Sequence, residues 1–236
     1  PGTYSLKVWV WREGAVYYSE SGFSWGVLAV NFNKSIYTLG DTAHIAFAVL
    51  TDQGNTVCDA AIDADVTAPS GRVYHMSTTN RTITRNSTCG PQTVTDQPDY
   101  SSAVPAKESG TYRISVTSTE NGRTNTIADS FEVQATPLFD VERSAATRIY
   151  PPSMYTVKIH VKANQDFSGR ITESMPASFQ AGAFGQVTKD FSTDGQTLSW
   201  SVDLKKGDTA DLEYSFLAPN VSPELYKLGP LKIGDW

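Results

Sequence analysis

The sequence predicts an all-β fold of tandem β-sandwiches, preceded by a hairpin that completes a neighbouring module or subunit. Three observations carry this. The chain repeats itself: Gly2-Thr-Tyr-Ser-Leu-Lys-Val-Trp-Val-Trp-Arg-Glu-Gly14 aligns without a gap on Gly110-Thr-Tyr-Arg-Ile-Ser-Val-Thr-Ser-Thr-Glu-Asn-Gly122. The same offset of 108 carries Phe23 onto Phe131 and Trp25 onto Val133, and about a hundred residues is the size of one sandwich domain. Elsewhere, short runs alternate apolar with polar residues between turn signals, and no window sustains a helical period.

Composition sets the outer bounds. A chain of 236 residues allows one to three domains, each able to bury a core of ordinary size. Hydrophobic residues make up 39% and charged residues 19%, the balance of a globular chain and not of a disordered one. Ser, Thr, Asn and Gly are abundant, as on the outer strand faces of extracellular β-proteins. The formal net charge of −6 argues against a nucleic-acid partner, which would require clustered Lys and Arg. No apolar run reaches the length of a membrane span, and no charged start followed by an apolar core marks a signal peptide.

Residues 1–28 read as two strands and a turn, the end of a preceding module or a pair of donor strands. Leu6, Val8 and Val10 alternate to one face. The other face carries Trp9 and Trp11 where the later copy has Thr117 and Thr119. Tyr17, Tyr18, Phe23 and Trp25 follow on the return strand. A lone hairpin apolar on both faces is not stable in water, so the expectation is that another module or chain covers it. Leu6, Val8, Trp9, Val10, Trp11, Tyr17, Tyr18, Phe23 and Trp25 are therefore the expected assembly interface.

Residues 29–135 read as a complete sandwich of the immunoglobulin-like type, with about seven short strands. Ala43, Ile45, Phe47 and Val49 share one face, as do Ala60, Ile62, Ala64 and Val66. Asp52-Gln-Gly-Asn55, Ala68-Pro-Ser-Gly71 and Glu120-Asn-Gly-Arg123 are turns, and Tyr112, Ile114 and Val116 form the strand before the last. The polar stretch from Thr78 to Asp99 is expected to be a long loop. Cys58 and Cys89, the only two cysteines, pair in an oxidising compartment; two buried reduced thiols are the alternative. Asn33, Asn80, Asn86 and Asn220 lie in glycosylation sequons, modified only where exposed and where the host glycosylates.

Gln134-Ala-Thr-Pro137 is the expected linker to a second sandwich, residues 136–236. There Tyr155, Val157, Ile159 and Val161 face inward, while Thr156, Lys158, His160 and Lys162 face out. Leu198–Leu204 and Ala210–Phe216 repeat that alternation, with turns at Asp194-Gly195 and Lys206-Gly207-Asp208.

The segments Tyr37-Thr-Leu-Gly-Asp41, Ala68-Pro-Ser-Gly71 and Glu108-Ser-Gly-Thr-Tyr112 resemble the immunoglobulin-like modules of prokaryotic cell-surface, adhesin and extracellular fibre proteins. Gly195-Gln-Thr-Leu-Ser-Trp200 and Leu212-Glu-Tyr-Ser-Phe-Leu-Ala-Pro219 look like repeat domains of large bacterial envelope proteins. Together these cover most of residues 28–220. The resemblance implies a structural or adhesive role at the cell surface.

Signatures of chemistry are weak by comparison. His44, His75 and His160 sit on separate strands without a second ligand at metal spacing, so packing or surface roles are preferred. Asp63 and Asp65 flank Ala64 as an exposed acidic face, with no run of calcium-ligating oxygens after them, and Asp96, Asp99 and Glu108 do no better. No Gly-x-Ser-x-Gly elbow or phosphate-binding glycine loop occurs, so no enzyme, cofactor or metal is expected. Lys158 and Glu173 suit two roles in an isopeptide crosslink of the kind surface modules carry, but solvated outer-face charges are the preferred reading. Trp9 and Trp11 would suit a sugar-stacking platform, although burial against protein is preferred because the whole hairpin is apolar.

The expected function is a structural subunit or segment of an extracellular filament, pilus-like fibre or surface stalk. Its partners are copies of itself or adjacent modules of a longer chain, joined by strand addition. The rival is an adhesin-type module recognising a surface glycan or host protein through the Thr78–Asp99 loop.

Overall fold

The computed structural model describes residues 2–25, 27–90, 93–120, 122–183, 188–192 and 195–236. Every element among them is a strand, and none is a helix. No helix long and apolar enough to cross a membrane is therefore found among them.

The chain opens with β1 (Gly2–Arg12) and β2 (Ala15–Trp25), paired antiparallel over their whole length. Their two-residue turn holds Glu13 and Gly14 at φ 53° and 83°. Two positive φ values in succession match the right-handed twist of the flanking strands, and a glycine in the second place carries no Cβ penalty there.

The next nine strands are β3 (Leu28–Phe32), β4 (Ile36–Thr38), β5 (Thr42–Val49), β6 (Ala61–Thr67), β7 (Val73–Ser77), β8 (Thr84–Arg85), β9 (Tyr100–Pro105), β10 (Gly110–Glu120) and β11 (Arg123–Gln134). They form a five-stranded sheet, β4-β11-β10-β6-β7, and a four-stranded sheet, β3-β5-β9-β8. The inward side chains of both enter a single core: Ala43, Ile45, Phe47 and Val49 from one sheet, Ile62, Val66, Tyr112, Ile114 and Val116 from the other. Each fully buried Val, Ile or Phe side chain among them contributes about 1.5–3 kcal/mol. Phe131 sits at the centre of an aromatic cluster, stacked on Tyr112 at 4.9 Å and edge-on to Tyr37 and Phe32 at the same centroid distance. The stretch 78–99 is not wholly loop, because β8 lies within it and pairs with β9.

The remaining strands are β12 (Phe139–Ser144), β13 (Met154–Ala163), β14 (Phe167–Met175), β15 (Gln180–Ala183), β16 (Thr188–Ser192), β17 (Gly195–Leu204), β18 (Thr209–Leu217), β19 (Glu224–Leu225) and β20 (Leu231–Ile233). Two four-stranded sheets, β12-β13-β18-β15 and β16-β17-β14-β20, enclose a second core. The expected alternation holds: Tyr155, Val157, Ile159 and Val161 are buried while Lys158, His160 and Lys162 are exposed. β19 leaves this unit and pairs with β2, placing Glu224 against Trp25 and Leu225 against Ser24. Of the turn expected at Asp194-Gly195, Asp194 lies outside the described residues.

Polar contacts tie the second core's layers to the first's. Lys34 Nζ lies 3.1 Å from Asp41 and 2.7 Å from Asp140. Asn33 donates from Nδ2 to Glu142 at 3.0 Å, and its carbonyl accepts the Arg143 N–H at 2.7 Å. Arg148 and Asp99 form a bidentate pair whose side chains are 3% and 1% exposed. Gly54, at φ 81°, lets the chain approach Ser222 so closely that a Cβ there would sit 2.8 Å from the Ser222 carbonyl carbon.

Candidate functional site

The hairpin β1–β2 is the surface that stands out. Its register reproduces that of β10–β11 pair for pair. Gly2 faces Trp25 as Gly110 faces Val133, Trp9 faces Tyr18 as Thr117 faces Thr126, and Arg12 faces Ala15 as Glu120 faces Arg123. Gly122 holds φ 75° where Gly14 holds 83°. The two hairpins thus share their register and the glycine of the turn.

Their surroundings differ. β10 is paired along Arg113–Thr119 with β6, and β11 carries β4 at its far end. Among the described residues β1 has β2 as its one strand partner, which leaves the edge along Ser5–Trp11 open where β10 has β6. Among the described residues no second sheet covers the hairpin's face either. Leu6, Val8 and Val10 are 57%, 42% and 51% exposed, whereas Ile114 and Val116 at the matching positions are buried. Trp9, Trp11, Val16, Tyr17 and Tyr18 are also exposed, so both faces present apolar side chains. The side chains of Phe23 and Trp25, expected on the same surface, lie outside the described residues.

One polar cluster interrupts this surface. The Ser5 and Tyr18 hydroxyls both donate to Glu20, and Lys7 Nζ lies 3.6 Å from it. Hydrogen bonds from Ser5 and Tyr18 hold the Glu20 carboxyl below the ordinary carboxylate range.

The other expected residues fall as follows. Cys58 and Cys89 form a disulfide, with Cα atoms 5.8 Å apart. Asn80 and Asn220 are exposed, while Asn33 and Asn86 are half-buried with their amides engaged. Asn33 Nδ2 donates to Glu142 and Asn86 Nδ2 donates to the Pro98 carbonyl at 3.2 Å, so a glycan on either would displace a hydrogen bond. His75 Nδ1 lies 2.8 Å from Asp65 and its Nε2 lies 3.9 Å from Asp63; His160 Nδ1 lies 2.7 Å from Asp211. Among the described residues no group of three or more His, Cys, Asp or Glu is arranged to hold a metal. Glu108 accepts from the Ser70 N–H and hydroxyl, both at 2.9 Å, fastening the Ala68–Gly71 turn.

One expectation is corrected. Glu173 is not a solvated charge: it is fully buried, accepts from Arg143 at 2.7 and 2.5 Å, and accepts from the Tyr214 hydroxyl at 3.0 Å. Its strand β14 places it inside the second core, whereas Lys158 on β13 is exposed, so the two do not meet. Burial raises the Glu173 pKa more than Arg143 and Tyr214 lower it. Asp99 is buried as well, paired with Arg148. Neither partner was legible locally, since Arg143 and Arg148 stand 30 and 49 residues away in sequence.

A cleft of about 840 Å³ lies between the first and second cores, with Val30, Phe32, Arg148, Phe179, Leu225 and Leu228 among its lining residues.

No protein-family model matches the sequence, and no curated protein matches it. A solved structure of a DUF4785 family protein from Legionella pneumophila is similar at a TM-score of 0.32 and 15% identity. The match covers 86% of this chain and spans about half, 51%, of that one. A similarity of this size carries no functional argument.

Proposed function

We propose that this chain is a structural segment of an extracellular filament or cell-surface stalk built from tandem immunoglobulin-like β-sandwiches. In this reading residues 29–135 and 136–236 are successive modules, with Leu28 joining the first core. The hairpin, residues 1–28, supplies the last two strands of a neighbouring module or subunit. The observation that carries it is the pair-for-pair register shared with β10–β11, combined with the missing strand along β1 and the missing sheet over Leu6, Val8 and Val10. Strand addition would supply backbone hydrogen bonds to the open edge and side-chain pockets to the open face. It would also remove an eleven-residue edge strand that otherwise invites aggregation. The Cys58–Cys89 disulfide supports an oxidising compartment outside the cell.

The test is sedimentation and electron microscopy of the full chain beside its Leu6→Ser/Val8→Ser variant. Concentration-dependent assembly of the parent, lost in a variant that melts at the same temperature, is the expected result. A parent chain that stays monomeric with freely exchanging β1 amides would overturn the reading. An adhesive role is the second reading, favoured by the aromatic side of the hairpin.

A further inference from the structure

Sandwich completion uses one face of the hairpin. In β10–β11 the core side carries Tyr112, Ile114 and Val116, and the opposite side carries two threonine pairs. Thr117 meets Thr126 and Thr119 meets Thr124, hydroxyl to hydroxyl at 3.2 Å in each pair. The 108-residue offset puts Trp9–Tyr18 and Trp11–Val16 at those same two cross-strand positions. These aromatics therefore face outward from any sandwich that takes β1 and β2 as its last strands. Completing that sandwich leaves Trp9, Trp11 and Tyr18, 48%, 73% and 52% exposed, without a cover.

The chemistry of this outer face is specific. Trp9 and Tyr18 rings lie 5.2 Å apart with their planes tilted by 46°, forming a shallow trough. Trp11 extends it one pleat further, about 7 Å along the strand. At the other end Glu20 gathers Ser5, Tyr18 and Lys7 into a cluster of donors and acceptors on the same face. A pyranose ring has an apolar C–H face that stacks on an aromatic ring and hydroxyls at its rim that take hydrogen bonds. A row of aromatic rings ending in a polar cluster complements a short chain of such rings. A second protein copy fits less well, because a stable interface draws on about 20–30 residues a side and this face offers a handful.

We propose that the outer face of the hairpin, Trp9, Trp11 and Tyr18 with the Ser5–Lys7–Glu20 cluster, binds a neutral oligosaccharide. The inference rests on the face assignment of the proposed function and not on assembly itself.

The full chain is applied to immobilised glucan, mannan, chitin and galactan oligosaccharides, beside two variants. Trp9→Thr/Trp11→Thr copies the residues of β10 and so keeps the sheet; Leu6→Ser/Val8→Ser alters the core face. At least one glycan class should retain the parent chain, with retention falling tenfold or more in the threonine variant and persisting in the serine variant. Loss of assembly in the serine variant is read separately, so that reading can fail while this one stands. Retention of none of the glycans, or equal retention by the threonine variant, overturns the proposal. A concentration-dependent dimer lost in the threonine variant, without glycan retention, also overturns it and assigns the face to a second copy.

Discussion

Arg148 donates from Nε and Nη2 to the two oxygens of Asp99 at 3.0 and 3.1 Å, and both side chains are almost wholly buried. Nη1 also donates to the Thr93 carbonyl at 3.1 Å and to that of Tyr150. One guanidinium thus fastens the end of the 78–99 stretch to the segment that follows β12. A buried charge left without its partner is strongly destabilising, whereas removing both partners often is not.

Arg148→Met should therefore lower the unfolding free energy by about 3–5 kcal/mol, since it strands Asp99 in the interior. The double variant Arg148→Met/Asp99→Leu should recover part of that loss. Urea unfolding of the three proteins checks this; a double variant less stable than the single one would contradict it.

The disulfide spans 31 residues of sequence. On the chain-entropy estimate, closing a loop of that length is worth about 3–4 kcal/mol. Cys58→Ala/Cys89→Ala should lower the unfolding free energy by that order, and a reducing agent should lower the melting temperature of the parent but not of the variant.

Glu173 gives stability a dependence on pH. Its folded pKa is raised, chiefly by burial, above the ordinary 4.5 of the unfolded chain. The folded protein therefore holds this proton to higher pH than the unfolded chain does. The associated stability is complete below about 4.5 and is lost as pH rises through the raised folded value. Glu173→Gln keeps the side-chain shape and an oxygen for Tyr214 but does not titrate. The parent should lose stability relative to this variant as pH rises above about 4.5. A difference that stays constant with pH would contradict the direction.

Gly54 is fixed by two constraints at once, a left-handed φ of 81° and the approach of Ser222, whose hydroxyl donates to the Gly54 carbonyl at 3.1 Å. Gly54→Ala adds a Cβ that meets the Ser222 backbone and should cost about 1–3 kcal/mol. Gly14→Ala shares the positive φ but has nothing within 4 Å of the added carbon, so it should cost less. Equal melting temperatures for the two variants would rule out the packing contribution.

Much of the fold was legible because a strand with one buried face must alternate. The runs at Ala43–Phe47, Ile62–Val66 and Tyr155–Val161 are buried at every second residue, as their patterns require. Shorter pieces such as β8, β15, β19 and β20 carry too few residues to show a period. Glu173 defeated the pattern because its strand carries a carboxylate on the core side, a placement that requires a cation from elsewhere in the chain.

The sequence by itself determined the all-β character, the alternation of the long strands and the duplication of one hairpin at an offset of 108, because these depend on local periodicity and on self-similarity. Tertiary structure alone decided which charges are buried, since Arg143–Glu173 and Arg148–Asp99 join residues that no local rule connects. It also decided which copy of the hairpin is covered. β10–β11 lies against a second sheet while β1–β2 stands open, and the presence of a partner sheet is a property of the surroundings that a strand's own residues do not encode.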